Sequence, residues 1–175
     1  MSKDESHGQS LFARIIIQQC ISAKLQINAH APNENPEFVS IRRGIVVYVC
    51  FLQDAIEETA IKMAKSVCNI KLSKSLSEES NSSLVSVVEL PGDILVVPQA
   101  TLGGKQKGNR MQYHGNINKT DGEKLYRIFV GTLRNIQDKN ESCRNNNVRT
   151  ESGTYGNLQV LSVETNGPYT HVLNF

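Results

Sequence analysis

Gly44-Ile-Val-Val-Tyr-Val-Cys-Phe-Leu52 is the longest apolar run in this 175-residue chain. A strand with one wet face alternates apolar and polar side chains. This run is continuous and β-branched, which predicts a strand buried on both faces at the centre of a sheet. It is about half the length of a membrane span, which needs ~20 apolar residues. Upstream, Ala13 to Ile27 opens with Arg14-Ile-Ile-Ile17 and reads as the first strand of the core, followed by a turn with two prolines, Ala31 to Pro36, and an extended Phe38 to Ile41. Downstream, Ile56, Ala60, Met63, Val67 and Ile70 recur at helical spacing, predicting a helix from Ala55 to Asn69, with Asp54 and Glu57 as its capping box.

Beyond the helix, Ser73 to Ser83 is polar and Ser-rich and reads as a connection. Leu84 to Leu90 and Ile94 to Gln99, separated by Pro91-Gly-Asp93, predict a hairpin. Leu125, Ile128, Phe129, Leu133 and Ile136 predict a second helix, Asp138 to Asn147 a loop, and the remainder extended runs broken by Asn166-Gly-Pro168. Strands outnumber helices, so the expected class is α+β: curved, barrel-like mixed sheets with two helices packed on one side. A chain of this length reads as one domain from residue 13 to 175 behind a polar, flexible leader, residues 1–12.

Composition narrows function by exclusion. Apolar residues make up 39% of the chain and charged ones 21%, which excludes collagenous, coiled-coil and disordered classes. Nineteen Lys and Arg against seventeen Asp and Glu leave a net charge of +2, so any RNA contact must come from a local patch. The basic segment of note is Gly103 to Gly122, with Lys105, Lys107, Arg110, His114 and Lys119 beside one acid, Asp121. Cys20, Cys50, Cys68 and Cys143 are too far apart for a zinc ribbon or a redox pair and read as free thiols in a reducing compartment, and nothing in the first ten residues resembles a secretory signal. The four histidines fall in no zinc-binding or Ser-His spacing, and no Walker loop, dinucleotide fingerprint or nucleophile elbow occurs.

Two segments are not readily explained as packing: Pro98-Gln-Ala-Thr-Leu102, where an apolar strand gives way to a polar exit, and Thr165-Asn-Gly-Pro-Tyr-Thr-His171 between two strands. Gln18-Gln19-Cys20 at the end of the first strand, the Gly44 to Cys50 strand, Leu95 to Leu102, Leu125-Tyr-Arg-Ile-Phe-Val130 and Thr165 to Thr170 then follow in the order of five landmarks of one family. The chain resembles the D-aminoacyl-tRNA deacylases, and more closely their animal-specific branch, along almost its whole length.

The resemblance implies a cytoplasmic homodimer that hydrolyses the ester between an amino acid and tRNA, with the active site at the subunit interface and neither metal nor cofactor. It implies that Gln99, Ala100 and Thr101 bind the ester carbonyl through their backbone, that the 2′-hydroxyl of the terminal ribose assists, and that Pro98, Asn166, Gly167, Pro168, Tyr169, Thr170 and Gln19 shape the substrate site. The Gly167-Pro168 turn of one chain is expected to enter the pocket of the other. Lys105, Lys107 and Arg110 are the candidate tRNA-binding cations. Ala100 stands where the family has phenylalanine, Pro98 where it has serine, and Gln19 where the D-specific enzymes have the arginine that holds the Gly-Pro turn. Those replacements are shared with the animal branch and imply a wider pocket, a trans Gly-Pro peptide, relaxed chirality and L-alanine on threonine tRNA as a substrate. A strict D-aminoacyl-tRNA deacylase and a non-catalytic nucleic-acid-binding dimer remain as alternatives.

Overall fold

The computed structural model describes residues 10–28, 35–75, 83–167 and 169–175. The leader up to residue 9, the first part of the Pro-containing turn, the middle of the Ser-rich connection and Pro168 lie outside them.

The Gly44–Phe51 run is strand β4, preceded by β1 (Ala13–Cys20), β2 (Ser22–Gln26) and β3 (Phe38–Ile41) and followed by helix α1 (Glu57–Asn69). Next come β5 (Ser73–Lys74), β6 (Leu84–Val85), β7 (Asp93–Pro98), a 3-10 turn at Ala100–Gly103, and the short strands β8 (Lys105–Lys107) and β9 (Arg110–Gln112). Helices α2 (Lys119–Lys139) and α3 (Glu141–Asn145) and strands β10 (Thr150–Ser152), β11 (Leu161–Glu164) and β12 (Thr170–Asn174) complete the described chain. The main sheet has five strands in the order β10-β7-β4-β1-β12, with β4 in the middle, and a second sheet has the order β11-β2-β3. β4 is antiparallel to β1 and parallel to β7.

Burial on both faces of β4 has a layered cause. Ile45, Val47, Val49 and Phe51 point one way and join Ile15, Ile17, Ile94 and Val96 in a core with Met63, Val67, Phe129 and Leu133 of α1 and α2. Val46, with Leu95 and Val97 of β7, points the other way onto Ala23, Leu25 and Ile41 of the second sheet. The period of two along each strand thus feeds two cores at once. The molecule is an α+β stack of helices, main sheet and second sheet.

Five expectations need correction. The sheets are open at their edges rather than rolled into a barrel. Ala13 to Ile27 is two strands in two different sheets, because the buried positions run Ala13, Ile15, Ile17 and then Cys20. That interval of three slips the alternation, and the chain crosses between layers at Ile21. Leu84 to Leu90 does not pair with β7. Ser86 and Glu89 instead exchange hydrogen bonds, Ser86 N–H to Glu89 Oε2 at 2.7 Å and Glu89 N–H to Ser86 Oγ at 3.2 Å, and wind the segment into a turn. β7 takes its partners from distant β4 and β10, both parallel.

Helix α1 begins two residues later than expected. Asp54 has φ 67°, and the bond at the helix start is Ile56 N–H to Thr59 Oγ1 at 3.3 Å. Asp138 to Asn147 holds a third helix, α3, capped by Asn140, whose Oδ1 accepts from Cys143 N–H at 2.9 Å.

Candidate active site

β7 delivers the first signature segment. At its end the Gln99 N–H still donates to Val49 O (2.8 Å), so this amide belongs to the sheet and is taken. Pro98 has no N–H and cannot carry the ladder further. The chain then folds into the 3-10 turn, where Leu102 N–H donates to Gln99 O (3.2 Å) and Gly104 N–H to Thr101 O (3.1 Å). The N–H groups of Ala100 and Thr101 have no intramolecular acceptor among the described residues, and both residues are exposed. Of the three amides expected to meet an ester carbonyl, two are therefore free and adjacent. The Thr101 hydroxyl accepts from Gln99 Nε2 at 2.6 Å, which fixes both side chains at the rim.

A cleft of about 470 Å³ opens there, lined by Pro98, Gln99, Ala100 and Thr101 and, across from them, by Ile117, Lys119, Tyr155 and Leu158. Lys119 and Tyr155 were not singled out as substrate-site residues by the sequence. Tyr155 stacks on Tyr126 with ring centroids 5.5 Å apart. The Tyr126 hydroxyl lies within hydrogen-bonding reach of Val96 O (3.1 Å) and Gly153 O (2.9 Å), so the cleft wall is fastened to β7. Leu158 is 92% exposed, a large apolar side chain standing free at the cleft edge.

The second signature segment is elsewhere. Gly167 has φ 149°, a conformation that only glycine adopts easily. Its carbonyl accepts from Thr165 Oγ1 at 2.6 Å and from Tyr169 N–H at 2.8 Å. Gln18, not Gln19, holds this turn: Gln18 Nε2 reaches Thr165 Oγ1 at 3.1 Å and Gly167 O at 3.4 Å, and Thr170 Oγ1 donates to Gln18 Oε1. The Gln19 side chain faces away and donates to Leu72 O. The two glutamines differ in partner because alternate residues of β1 face opposite sides of the sheet. Asn166 and Gln19 line a small separate cavity, and the state of the Gly167-Pro168 peptide lies outside the described residues. His171 sits on β12 opposite Ile17, its ring edge-on to Tyr169 at 4.7 Å, away from the cleft.

Within one chain the two segments do not meet. Gln18 registers with Thr170 and Val46, and Val46 with Leu95, whereas Pro98 registers with Val49 and Val49 with Ile15. Those rows are three residues apart, about 10 Å at ~3.3 Å per residue, and each segment extends outward from its row. Three strand spacings, about 14 Å, separate β7 from β12 laterally. The segments occupy opposite ends of the main sheet.

Lys105, Lys107 and Arg110 lie on the exposed β8–β9 hairpin, next in sequence to the 3-10 turn, and none of them joins an ion pair among the described residues. The four cysteines are free and buried. Burial pushes the thiol of Cys20 up to about 11 and that of Cys68 up to about 12, so neither is a thiolate nucleophile at neutral pH. Among the described residues no three His, Cys, Asp or Glu side chains are grouped to hold a metal, and no helix is long and apolar enough to cross a membrane.

Comparison with known proteins places this arrangement. A family model described as D-Tyr-tRNA(Tyr) deacylase matches residues 16–174. The chain is 47% identical over 165 residues to D-aminoacyl-tRNA deacylase 2 of Danio rerio, spanning 93% of this chain and 99% of that one. It is 45% identical over 163 residues to D-aminoacyl-tRNA deacylase 2 of Homo sapiens, spanning 93% and 95%. A solved structure of a probable eukaryotic D-amino acid tRNA deacylase superposes with a TM-score of 0.79 at 29% identity, over 94% of this chain and 100% of the other. The chain belongs to the D-Tyr-tRNA(Tyr) deacylase family, a family of aminoacyl-tRNA ester hydrolases, and within it to the animal-type group.

Proposed function

We propose that this protein is a trans-acting proofreading deacylase that cleaves the ester of a mischarged aminoacyl-tRNA, in the cytoplasm and as a homodimer. The observation that carries this reading is the pair of free, adjacent N–H groups at Ala100 and Thr101, facing a cleft at the end of β7. An aminoacyl ester is already activated. Holding its carbonyl between two fixed donors supplies an oxyanion hole, each donor worth about 3 kcal/mol in acyl-transfer enzymes. Orientation supplies much of the remainder. The attacking oxygen is that of water, assisted by the neighbouring 2′-hydroxyl of the terminal ribose; its bond to the carbonyl carbon replaces the ester C–O bond, and its proton passes to the ribose oxygen that leaves. Pro98, Gln99 and Thr101 position the substrate, and Lys105, Lys107 and Arg110 track acceptor-end phosphates.

Two features support a dimer. The Gly167 turn and the Ala100 turn lie at opposite ends of one sheet, so a single cleft that contains both takes one segment from each of two chains. Tyr48, Ile16 and Val172 also form a cross-strand row on β4, β1 and β12, with Val172 59% exposed and Ile21 and Tyr169 exposed beside it. In this reading a second copy covers that row, and its Gly167-Pro168 segment closes the cleft over the amino acid.

The finer reading is relaxed chirality, with L-alanine on threonine tRNA as a substrate beside D-aminoacyl esters. It is supported by Ala100, whose methyl leaves open the volume that a phenyl ring would fill, and by the neutral Gln19 at the position where the D-specific enzymes carry an arginine. Deacylation of D-alanyl-, L-alanyl- and glycyl-tRNA at substoichiometric protein tests it. Turnover of both alanyl esters is expected. Cleavage of the D ester alone returns the protein to the strict D-specific group, and binding without turnover makes it a nucleic-acid-binding dimer.

A further inference from the structure

We propose that Asn116 aims the Thr101 N–H at the developing oxyanion, and is thus a positioning residue for the deacylation proposed above, on which this assignment rests. A trans peptide is planar, with its C=O and N–H pointing in opposite directions. The Ala100 carbonyl and the Thr101 N–H belong to one such plane. Asn116 Nδ2 donates to Ala100 O at 2.8 Å, and the Cys50 thiol lies 3.6 Å from the same oxygen. Fixing the carbonyl from below turns the N–H outward. The neighbouring plane is fixed likewise, since Gln99 O accepts from Leu102 N–H at 3.2 Å and the Ala100 N–H shares its peptide. Of the two holds, only the first depends on a side chain from another segment.

That side chain carries a defect. Asn116 Oδ1 is buried and has no hydrogen-bond partner. A buried acceptor without a donor loses its hydration and gains nothing in exchange. Rotating the amide gives no relief, because it would set Oδ1 against the Ala100 carbonyl oxygen. The pocket around Oδ1 is also closed: a Cβ on Gly103 would lie 1.9 Å from it and 2.7 Å from Leu52 Cδ2, so a side chain at 103 displaces the Asn116 amide.

The Asn116 backbone is equally constrained. Its N–H donates to Tyr113 O at 3.0 Å, it bridges Leu52, and the flanking Gly115 O and Ile117 N–H bond Gln53 and Phe51 at 2.7 and 3.3 Å. The central strand therefore holds Asn116, and Asn116 holds the turn.

A stabilising role and an aiming role predict different measurements. Asn116→Ala removes the unpaired acceptor together with the hold on Ala100, so the unfolding midpoint is expected to change little. kcat for aminoacyl-tRNA is expected to fall about 10- to 100-fold with KM within about twofold, as for a donor engaged only in the transition state. Asn116→Asp keeps size and shape but offers only acceptors, and should lower kcat at least as far. It also keeps the question open to test should the alanine variant unfold.

A phosphonate-linked aminoacyl-adenosine, which carries the anionic oxygen, should bind the variants more weakly than the unaltered full-length protein by the same factor as kcat. The amide-linked analogue of the ground state should bind all three alike. Unchanged kcat in a folded variant, or a change confined to KM, overturns the assignment of Asn116. Failure of the unaltered protein to deacylate any charged tRNA overturns the functional reading itself.

Discussion

Gln18 and Gln19 are neighbours of identical chemistry on opposite faces of β1, and exchanging each for alanine separates the two roles a glutamine can have there. Gln18 makes three contacts to the Thr165 to Thr170 turn: to Thr165 Oγ1, to Gly167 O and to Thr170 Oγ1. Two are exposed and the part-buried one is long, 3.4 Å, so each belongs at the low end of the net range for a hydrogen bond, about 0.5 kcal/mol. Their sum, about 1.5 kcal/mol, is roughly a tenfold shift in the population of the ordered turn. If that turn closes the cleft of a second subunit, Gln18→Ala lowers kcat/KM for L-alanyl-tRNA about tenfold. Gln19→Ala, which removes a single bond to Leu72 O, leaves kcat/KM within about twofold. Single-turnover deacylation at subsaturating enzyme measures both, with the urea midpoint as a control on folding. A larger loss from Gln19→Ala, or none from Gln18→Ala, refutes the reasoning.

Three further outcomes follow from the same geometry. Asp93 is buried at the start of β7 and accepts from Arg42 N–H (2.9 Å), Arg42 Nε (3.1 Å), Arg42 Nη2 (3.1 Å) and Arg149 N–H (3.1 Å). Burial pushes its carboxyl up, but these donors and the Arg42 charge outweigh burial and hold it below the ordinary carboxylate range. A carboxylate depressed in the fold stabilises fully above its unfolded pKa of about 3.9, and that stability is lost as pH falls through the folded value. Asp93→Ala leaves the N–H groups of Arg42 and Arg149 without their acceptor and should therefore cost about 1–3 kcal/mol at pH 7 in urea unfolding, with the gap to the unaltered protein narrowing as pH falls through the folded value; a gap independent of pH refutes it. Ala100→Phe places a ring in the cleft and should lower kcat/KM for L-alanyl-tRNA at least tenfold while sparing the D ester, as a deacylation panel would show; equal losses on both refute it. Replacing Lys105, Lys107 and Arg110 together by alanine should weaken tRNA binding and reduce the slope of log K against log salt by about two to three; an unchanged slope removes the hairpin from the interface.

What was legible in the sequence divides by the range of the interaction. β4 was readable because a continuous apolar, β-branched run, buried at every position but the half-buried Tyr48, has no other place than a central strand. Both long helices were readable from spacing alone. The failures are non-local or very short. Pro91-Gly-Asp93 has turn chemistry, yet β7 pairs in parallel with strands far away in the chain, which no local pattern encodes. α3 is a single short turn with one buried residue, Cys143, too few to set a period. The site was readable only as two signature segments. Their separation to opposite ends of the sheet follows from strand order; Gln18 stood out only within the Gln18-Gln19-Cys20 landmark and Asn116 belongs to no motif, because each holds a turn from a distant segment.

The proposed catalysis through main-chain amides also separates rate from selectivity. Any residue but proline at 100 and 101 presents the same two N–H groups, provided the turn is held at Gln99 O and Ala100 O. The side chains at 98 and 100 are then free to vary with the substrate, and this chain carries proline and alanine there without loss of a donor. An enzyme whose nucleophile or base were a side chain could not change two positions of its signature, here 98 and 100, so cheaply. Side chains that hold the turn from behind have no such freedom, since each acts on a single carbonyl from a fixed distance. Substitutions at 98 and 100 should therefore move the D to L preference at nearly constant maximal rate on the better substrate, and substitutions at 103 and 116 should lower the rate on every substrate alike.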